Sequence, residues 1–246
     1  MNLPSKTLRN LFLLQLAGNA LLLWLGYEWL GVDESSGGKL LWSAVEALII
    51  LTLVCWLHGA TMVYFASEKG ATVNAAFRTA LRNAWVLVLL AVAVLAVYGL
   101  LSKWTAASDQ PAFRLASWMT LKLRKPVKPA TVRTIFHAGF WIVQWVVLPV
   151  LLLPLASGLS AKGWRGWKAV AVRGPWRYWV AVPVLTVVAF WVPLAILGWR
   201  PHVGGFGFEM VSFVVRAGAG YLLFVGGALL LARLGSPAGH GFALKP

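Results

Sequence analysis

The chain alternates between long apolar stretches and short segments that carry almost all of its charge. Six apolar stretches lie near 11–31, 40–66, 84–102, 135–157, 177–198 and 209–232. A helix needs about 20 predominantly apolar residues to cross a hydrocarbon core of about 30 Å. Because lipid offers the backbone no hydrogen-bond partner, these stretches are predicted to be about six transmembrane helices in an all-α, polytopic bundle.

The first apolar stretch follows Lys6 and Arg9, as the core of a secretory signal peptide would. Its apolar core is too long for such a peptide, and no small-x-small cleavage sequence precedes Asp33. We therefore expect an uncleaved first span. The fourth stretch contains Pro149 and Pro154, so a re-entrant segment is an alternative to a full crossing there. Basic residues slightly favour a cytoplasmic N-terminus.

Two related basic segments precede the third and fifth spans. Residues 80–85 read ALRNAW and residues 171–176 read AVRGPW, a match of the form A-[LV]-R-x-[AP]-W. Apolar and aromatic residues interleave with Arg and Lys, which predicts short interfacial helices over 76–85 and 167–176. The side chains expected to contact lipid headgroups are Arg78, Arg82, Arg165, Lys168 and Arg173.

The spacing of these segments also suggests a duplication. The separation along the chain between residues 80 and 171 also superimposes the second span on the fourth. This correspondence favours a hairpin repeat over 39–102 and 130–193. Residues 1–246 are interpreted as one transmembrane domain containing both hairpins.

The basic segments and the spans that follow them resemble the membrane domain of bacterial glycerophosphoryl diester phosphodiesterases, over about 75–100 and 165–199. The catalytic residues of that family belong to a separate soluble domain. The resemblance therefore implies a helical membrane fold and assigns no catalytic residue to this chain. We expect an integral protein of the bacterial cytoplasmic membrane.

Composition supports a lipid environment, since 60% of the residues are apolar and 12% are charged. The formal net charge of +15 would suit nucleic acid, but the sequence offers no soluble domain to bind it. Anionic lipid is the expected partner, because basic residues near such a leaflet contribute about 1 kcal/mol each. The connection 103–134 is predicted to hold another interfacial helix, with Leu115, Ala116, Met119 and Leu123 on one face.

Ionisable residues inside spans are the strongest functional signal, because they raise the free energy of insertion by about 2.5 to 3.5 kcal/mol each. Arg216 is the deepest and lies on nearly the same helical face as Glu209, with Ser212 between them. An arginine at this depth needs a carboxylate, backbone carbonyls or water, and Glu46 is its expected partner, with Glu209 or Glu28 next. The predicted polar cluster consists of Glu28, Glu46, His137, Glu209, Ser212 and Arg216. It is interpreted as a structural ion-pair network or as a pocket for an anionic or zwitterionic group.

Catalytic and cofactor motifs are not found. His58 and His137 lie near opposite ends of their spans, so a bis-histidine haem is not expected. No metal site is predicted. The leading hypothesis is a non-enzymatic scaffold or accessory subunit, packed against a membrane-protein partner or a second copy. The alternative is a small transporter or lipid-handling protein that uses the region around Arg216.

Overall fold

The structure of the protein is a computed structural model that describes residues 5–33, 35–67, 72–171, 176–201 and 204–236. Throughout these ranges the regular elements are helical, and six helical stretches are long and apolar enough to cross a membrane. The all-α, polytopic bundle predicted from the sequence is confirmed.

In the described ranges the α-helices are α1 (Ser5–Leu30), α2 (Gly37–Ala66), α3 (Val73–Ala106), α4 (Asp109–Leu123), α5 (Pro129–Ile142), α6 (Leu148–Lys162), α7 (Trp176–Thr186), α8 (Val192–Gly198) and α9 (Phe206–Leu234). A π-helical turn, Val143–Val147, joins α5 to α6, and a second, Val187–Trp191, joins α7 to α8. Each of these pairs forms one span, so the re-entrant alternative for the fourth stretch is wrong: the chain there is helical from Pro129 to Lys162.

The basic segment 76–85 is continuous with α3 and is not a separate interfacial helix, which corrects the prediction. Ala76, Ala80 and Ala84 recur at helical spacing and are all buried, so the packing that stabilises the span extends down to its first turns. With 34 residues, α3 is about 51 Å long, well beyond a hydrocarbon core of about 30 Å. The charged side chains of the segment, Arg78 and Arg82, are exposed in the first turns of this long helix.

The second basic segment folds back against the end of α6. Residues Gly163–Ala171 form a 3-10 helix, and 172–175 lie outside the described residues. A Cβ on Gly166 would stand 2.0 Å from the carbonyl oxygen of Gly158, so only glycine permits this approach. The Trp85 and Trp164 rings meet edge to face at 5.7 Å. The described part of the second basic segment therefore lies at the same end of the bundle as the first.

Helix α4 uses its apolar face to cover α5. Ala112 and Ala116 are buried against Val132, and Leu115 and Met119 pack around them. The face predicted from the sequence is thus buried against protein, which corrects its interpretation as a surface for lipid. Leu123, predicted on the same face, is exposed instead because it is the last residue of the helix.

Two prolines in the fourth span leave backbone carbonyls without their usual donors, and tyrosines from other spans replace those donors. Pro154 has no N–H for the carbonyl of Val150, four residues earlier, and the Tyr178 hydroxyl donates to that oxygen at 3.0 Å. The carbonyl of Gln144 lies five residues before Pro149, the spacing of a π-turn, and accepts from the Tyr98 hydroxyl at 2.6 Å. Both tyrosines thus tie α7 and α3 to the irregular span.

Changing Tyr178 to phenylalanine should lower the free energy of unfolding in detergent by about 1 kcal/mol, since a carbonyl in lipid loses its donor. Adding Pro154→Ala should recover most of that loss, because alanine returns the N–H that Val150 lacks. Reversible unfolding of the two single variants and the double variant measures this coupling.

Tyr221→Phe is the matched control, since the Tyr221 hydroxyl donates to the carbonyl of Leu16, to which no proline is related. Pro154→Ala should not rescue that variant. Equal losses from Tyr178→Phe with and without Pro154 would mean that the hydroxyl does not substitute for the missing N–H.

Candidate functional site

Arg216 lies beside the end of α8 and bonds backbone carbonyls. Its Nη1 donates to the oxygens of Leu197, at 3.1 Å, and Trp199, and its Nε donates to Ser212 O at 3.2 Å. Carbonyls at a helix C-terminus lack intrahelical donors and carry the negative end of the helix dipole, so a guanidinium is favourable there. Arg216 therefore acts as a cap for α8.

The expected pairing of Arg216 with Glu46 is wrong. In the described parts of the chain, the ion pairs are Lys39–Asp33 and Arg133–Asp109, and neither includes these residues. Charge-assisted bonds to carbonyls satisfy the guanidinium without a carboxylate, because the end of α8 brings two acceptors within reach.

The predicted polar cluster is only partly brought together. Glu209, Ser212 and Arg216 line a small cavity of about 380 Å³ with Arg200, next to the cap of α8. Its lining includes neither Glu28 nor Glu46. His137 lies elsewhere, with its Nε2 atom 3.4 Å from the Ser108 hydroxyl between α3 and α4.

Glu28 is exposed near the end of α1, and Glu46 is half-buried in the first turns of α2. The Trp29 indole N–H, beside Glu28, donates to the backbone oxygen and hydroxyl of Ser43, both at 3.0 Å, which joins these two helix ends. In the intervening connection, the hydrogen bond from the Lys39 ammonium holds the pKa of Asp33 below its ordinary value. Both partners are exposed, so the pair adds little stability.

Four of the five predicted headgroup contacts lie in described parts of the chain, and all four side chains are exposed. Arg78 and Arg82 project from the first turns of α3 and are exposed, as are Arg165 and Lys168 on the 3-10 helix. Arg173 lies outside the described residues. The arrangement suits an anionic leaflet, and contact with headgroups stays a prediction.

A buried polar network that the sequence analysis missed joins α1 to α2. Gln15 Nε2 donates to the carbonyl of Leu57 at 3.2 Å and to the Thr61 hydroxyl. Asn19 Nδ2 donates to the backbone oxygen of Gln15 at 2.8 Å and to its side-chain oxygen at 2.9 Å. His58 Nε2 lies 3.2 Å from Asn19 Oδ1. Gln15 and Asn19, four residues apart on α1, thus contact Thr61 and His58, which are three residues apart on α2.

The network also fixes which nitrogen of His58 carries the proton. A backbone carbonyl can only accept a hydrogen bond. The side-chain amide of Gln15 must therefore turn its nitrogen toward Leu57 O. In the same way, the side-chain amide of Asn19 must turn its nitrogen toward the backbone oxygen of Gln15. Asn19 Oδ1 is therefore the atom that faces His58, and it accepts from Nε2–H. In the neutral ring, Nδ1 is then an acceptor.

His58 also lines an apolar cavity of about 480 Å³ between the spans, called here the His58 cavity. Both spans with π-turns contribute to it, through residues that include Trp145 and Phe190. The Phe224 ring packs edge to face against the His58 ring and against the Phe190 ring. The residues that line it are Val54, His58, Met62, Tyr98, Trp145, Pro149, Leu152, Leu153, Ala156, Val182, Thr186, Phe190, Phe224, Ala228, Leu231 and Ala232.

Few hydrogen-bonding groups remain for an occupant of the His58 cavity. The Tyr98 hydroxyl donates to Gln144 O, and the Thr186 hydroxyl donates to Val182 O at 2.8 Å. The hydroxyl oxygens of Tyr98 and Thr186 keep lone pairs that can accept, and the other side-chain nitrogens of the lining are those of the His58 and Trp145 rings. Within the described ranges, no three His, Cys, Asp or Glu side chains are placed to hold a metal ion.

Comparison with known proteins gives no match for this chain, whether with protein-family models, curated proteins or solved structures. The resemblance to the membrane domain of glycerophosphoryl diester phosphodiesterases therefore stays a prediction, and function has to be argued from the residues of the chain itself.

Proposed function

We propose that this is a lipid-handling membrane protein that holds an apolar lipid chain in the His58 cavity. The observation that carries the proposal is the cavity itself, whose volume of about 480 Å³ lies in the range of about 300 to 1,000 Å³ typical of ligand sites. Its lining is almost wholly apolar, and within a bilayer the abundant apolar ligands are lipid chains.

The irregular backbone around the cavity supports this function. Both π-turns are followed two residues later by a proline, Pro149 after Val147 and Pro193 after Trp191. Such turns interrupt the regular helical hydrogen bonding, and they are frequent at functional sites. In membrane proteins, irregular backbone is tolerated where it is buried in protein or lines a cavity.

The polar cavity beside Arg216 is a weaker candidate for the ligand site. The guanidinium already donates to three carbonyls, as a structural cap requires, and Glu46 is not among its partners. The His58 cavity is therefore a better candidate for the lipid site than the cavity beside Arg216. A scaffold role stays a prediction, because the exposed apolar outer surface is what lipid alone demands of a spanning helix.

Filling the His58 cavity should abolish binding of an apolar chain. Ala228→Phe places a ring into the space, whereas Ala219→Phe, on the exposed side of the same helix, leaves it open. A phospholipid with a diazirine at the end of its palmitoyl chain should label Trp145, Phe190 and Phe224 in the wild-type protein. We expect about tenfold less labelling in Ala228→Phe, a change of about 1.4 kcal/mol in binding.

Mass spectrometry of the digested protein measures the labelled positions, with equal unfolding temperatures required of the two variants. Equal labelling in Ala228→Phe and Ala219→Phe would show that the chain contacts only the outer surface, and the proposed function would be lost.

A further inference from the structure

We infer that the His58 cavity selects lipid alcohols, whose hydroxyl group donates a hydrogen bond to Nδ1 of His58. This inference rests on the proposed function and adds the chemistry of the group that the lipid carries. It assigns to His58 a binding role, and to Gln15 and Asn19 a positioning role.

Hydrogen bonds to the Gln15 and Asn19 amides fix the orientation of the His58 ring. Two backbone carbonyls, Leu57 O and Gln15 O, fix the Gln15 and Asn19 amides in turn, so Asn19 presents oxygen to His58. Gln15 and Asn19 are almost fully buried, at 1% and 4% exposure, so water does not compete for these bonds. The proton of the ring is held at Nε2, and the lone pair is held at Nδ1.

The surroundings of the His58 ring determine its charge. In the described parts of the chain no carboxylate pairs with His58, and the ring packs against Phe224 with centroids 6.4 Å apart. A cation without a partner in such surroundings is strongly disfavoured, so the imidazole is neutral and Nδ1 keeps its lone pair.

An acceptor at Nδ1 of His58 requires a ligand group that donates a hydrogen bond. The His58 ring lines the cavity, and the hydrogen bond that the structure describes for it uses Nε2. A ligand group that meets Nδ1 therefore has to be a donor. Hydroxyl groups donate, whereas the ether, ester and ketone groups of lipids only accept.

The absence of charge along the described lining excludes ionic headgroups from the cavity itself. No Lys, Arg, Asp or Glu side chain belongs to that lining, so a phosphate or carboxylate would be buried without a partner. A single uncharged hydroxyl on an apolar chain is the group that this site satisfies.

Trp145 supplies a competing possibility, because its indole N–H is a donor in the same lining. A ketone would be favoured by Trp145 and would gain nothing from His58. The preference between an alcohol and a ketone of equal chain length therefore distinguishes the two rings.

The test is competition against the diazirine phospholipid, using hexadecanol, hexadecyl methyl ether and a methyl ketone of matched length. In the full-length wild-type protein in micelles, we expect the alcohol to displace the probe at about tenfold lower concentration than the ether or ketone. In His58→Phe the three should be equal, while the probe still labels the cavity. Comparing the same compounds across variants cancels their partition into the micelle.

Trp145→Phe is the control and should retain the preference for the alcohol. A wild-type protein that binds the probe but treats alcohol and ether alike overturns the inference and leaves the proposed function intact. A preference that survives in His58→Phe, or that disappears in Trp145→Phe, also overturns it. Failure of the probe to label the wild-type cavity would contradict both the inference and the proposed function.

A measurement on the wild-type protein does not depend on the folding of a variant. With nitrogen-15 in the histidine rings, hexadecanol should shift the Nδ1 resonance of the neutral His58 ring upfield, and the methyl ether should leave it in place. A His58 resonance that shows Nδ1 to be the protonated nitrogen would contradict the assigned tautomer and the inference with it.

Discussion

Alanine in place of Gly166 should lower the free energy of unfolding by about 3 kcal/mol or more, the upper range for overpacking. The added Cβ would lie 2.0 Å from Gly158 O and 2.6 Å from Leu159 N, and neither backbone atom moves without moving α6. The 3-10 helix would have to separate from the bundle, and with it the contact between Trp164 and Trp85. Denaturant titration in mixed micelles measures the loss.

Gly218→Ala is the matched control, because a Cβ there meets nothing within 4 Å and the position is interior to α9. Its stability should equal or slightly exceed that of the wild-type protein, since alanine favours the helix. If Gly166→Ala proved as stable as Gly218→Ala, the segment would not pack on α6 as the structure shows.

The second large effect is expected from Gln15→Leu. The substitution removes three hydrogen bonds. Two of them, from Gln15 to Leu57 O and to Thr61 Oγ1, join α1 to α2. The third, from Asn19 to the side-chain oxygen of Gln15, holds the Asn19 side chain in place. At about 0.6 kcal/mol on average for such bonds in a membrane, with larger values up to about 1.7, a total loss of about 2 kcal/mol is expected.

The same substitution should also weaken the preference for lipid alcohols. Without the Gln15 side chain, the Asn19 amide keeps one carbonyl contact in place of two, so its orientation and the tautomer of His58 are less strictly held. Gln110→Leu, on the exposed side of α4, serves as the control and should change neither quantity. Full stability in Gln15→Leu would mean that apolar contacts alone hold α1 in place.

The spans were predictable because hydrophobic length is a property of the sequence alone, and all six are present. The hydrogen-bond partners of Arg216 were not predictable. Helical spacing places Glu209 and Ser212 on the same face of α9 as Arg216, but it gives no position for the end of α8. The C-terminal carbonyls of α8 reach Arg216 through the packing of α8 on α9, which helical spacing in α9 alone does not specify.

The His58 cavity was missed for a related reason. Gln15 and Asn19 carry no formal charge, so a criterion based on ionisable groups passes over them, although their spacing of four residues on α1 places them on one face. The complementary pair, His58 and Thr61, lies three residues apart on α2. Two such pairs in neighbouring spans are the signal that predicts a polar contact between them. The volume of the cavity, in contrast, depends on how five helices pack.

The two π-turns have a consequence for how relatives of this chain would differ in length. A π-turn holds one residue more than the α-helical path it replaces, so a relative with a regular fourth or fifth span should lack one residue within 143–147 or 187–191. Such a deletion would restore the regular helical path and leave the helix after it in the same orientation, so its effect would be confined to the turn itself. The cavity lining would then change locally, at Trp145 or Phe190, and single-residue gaps at these two places in relatives would mark a cavity of different shape.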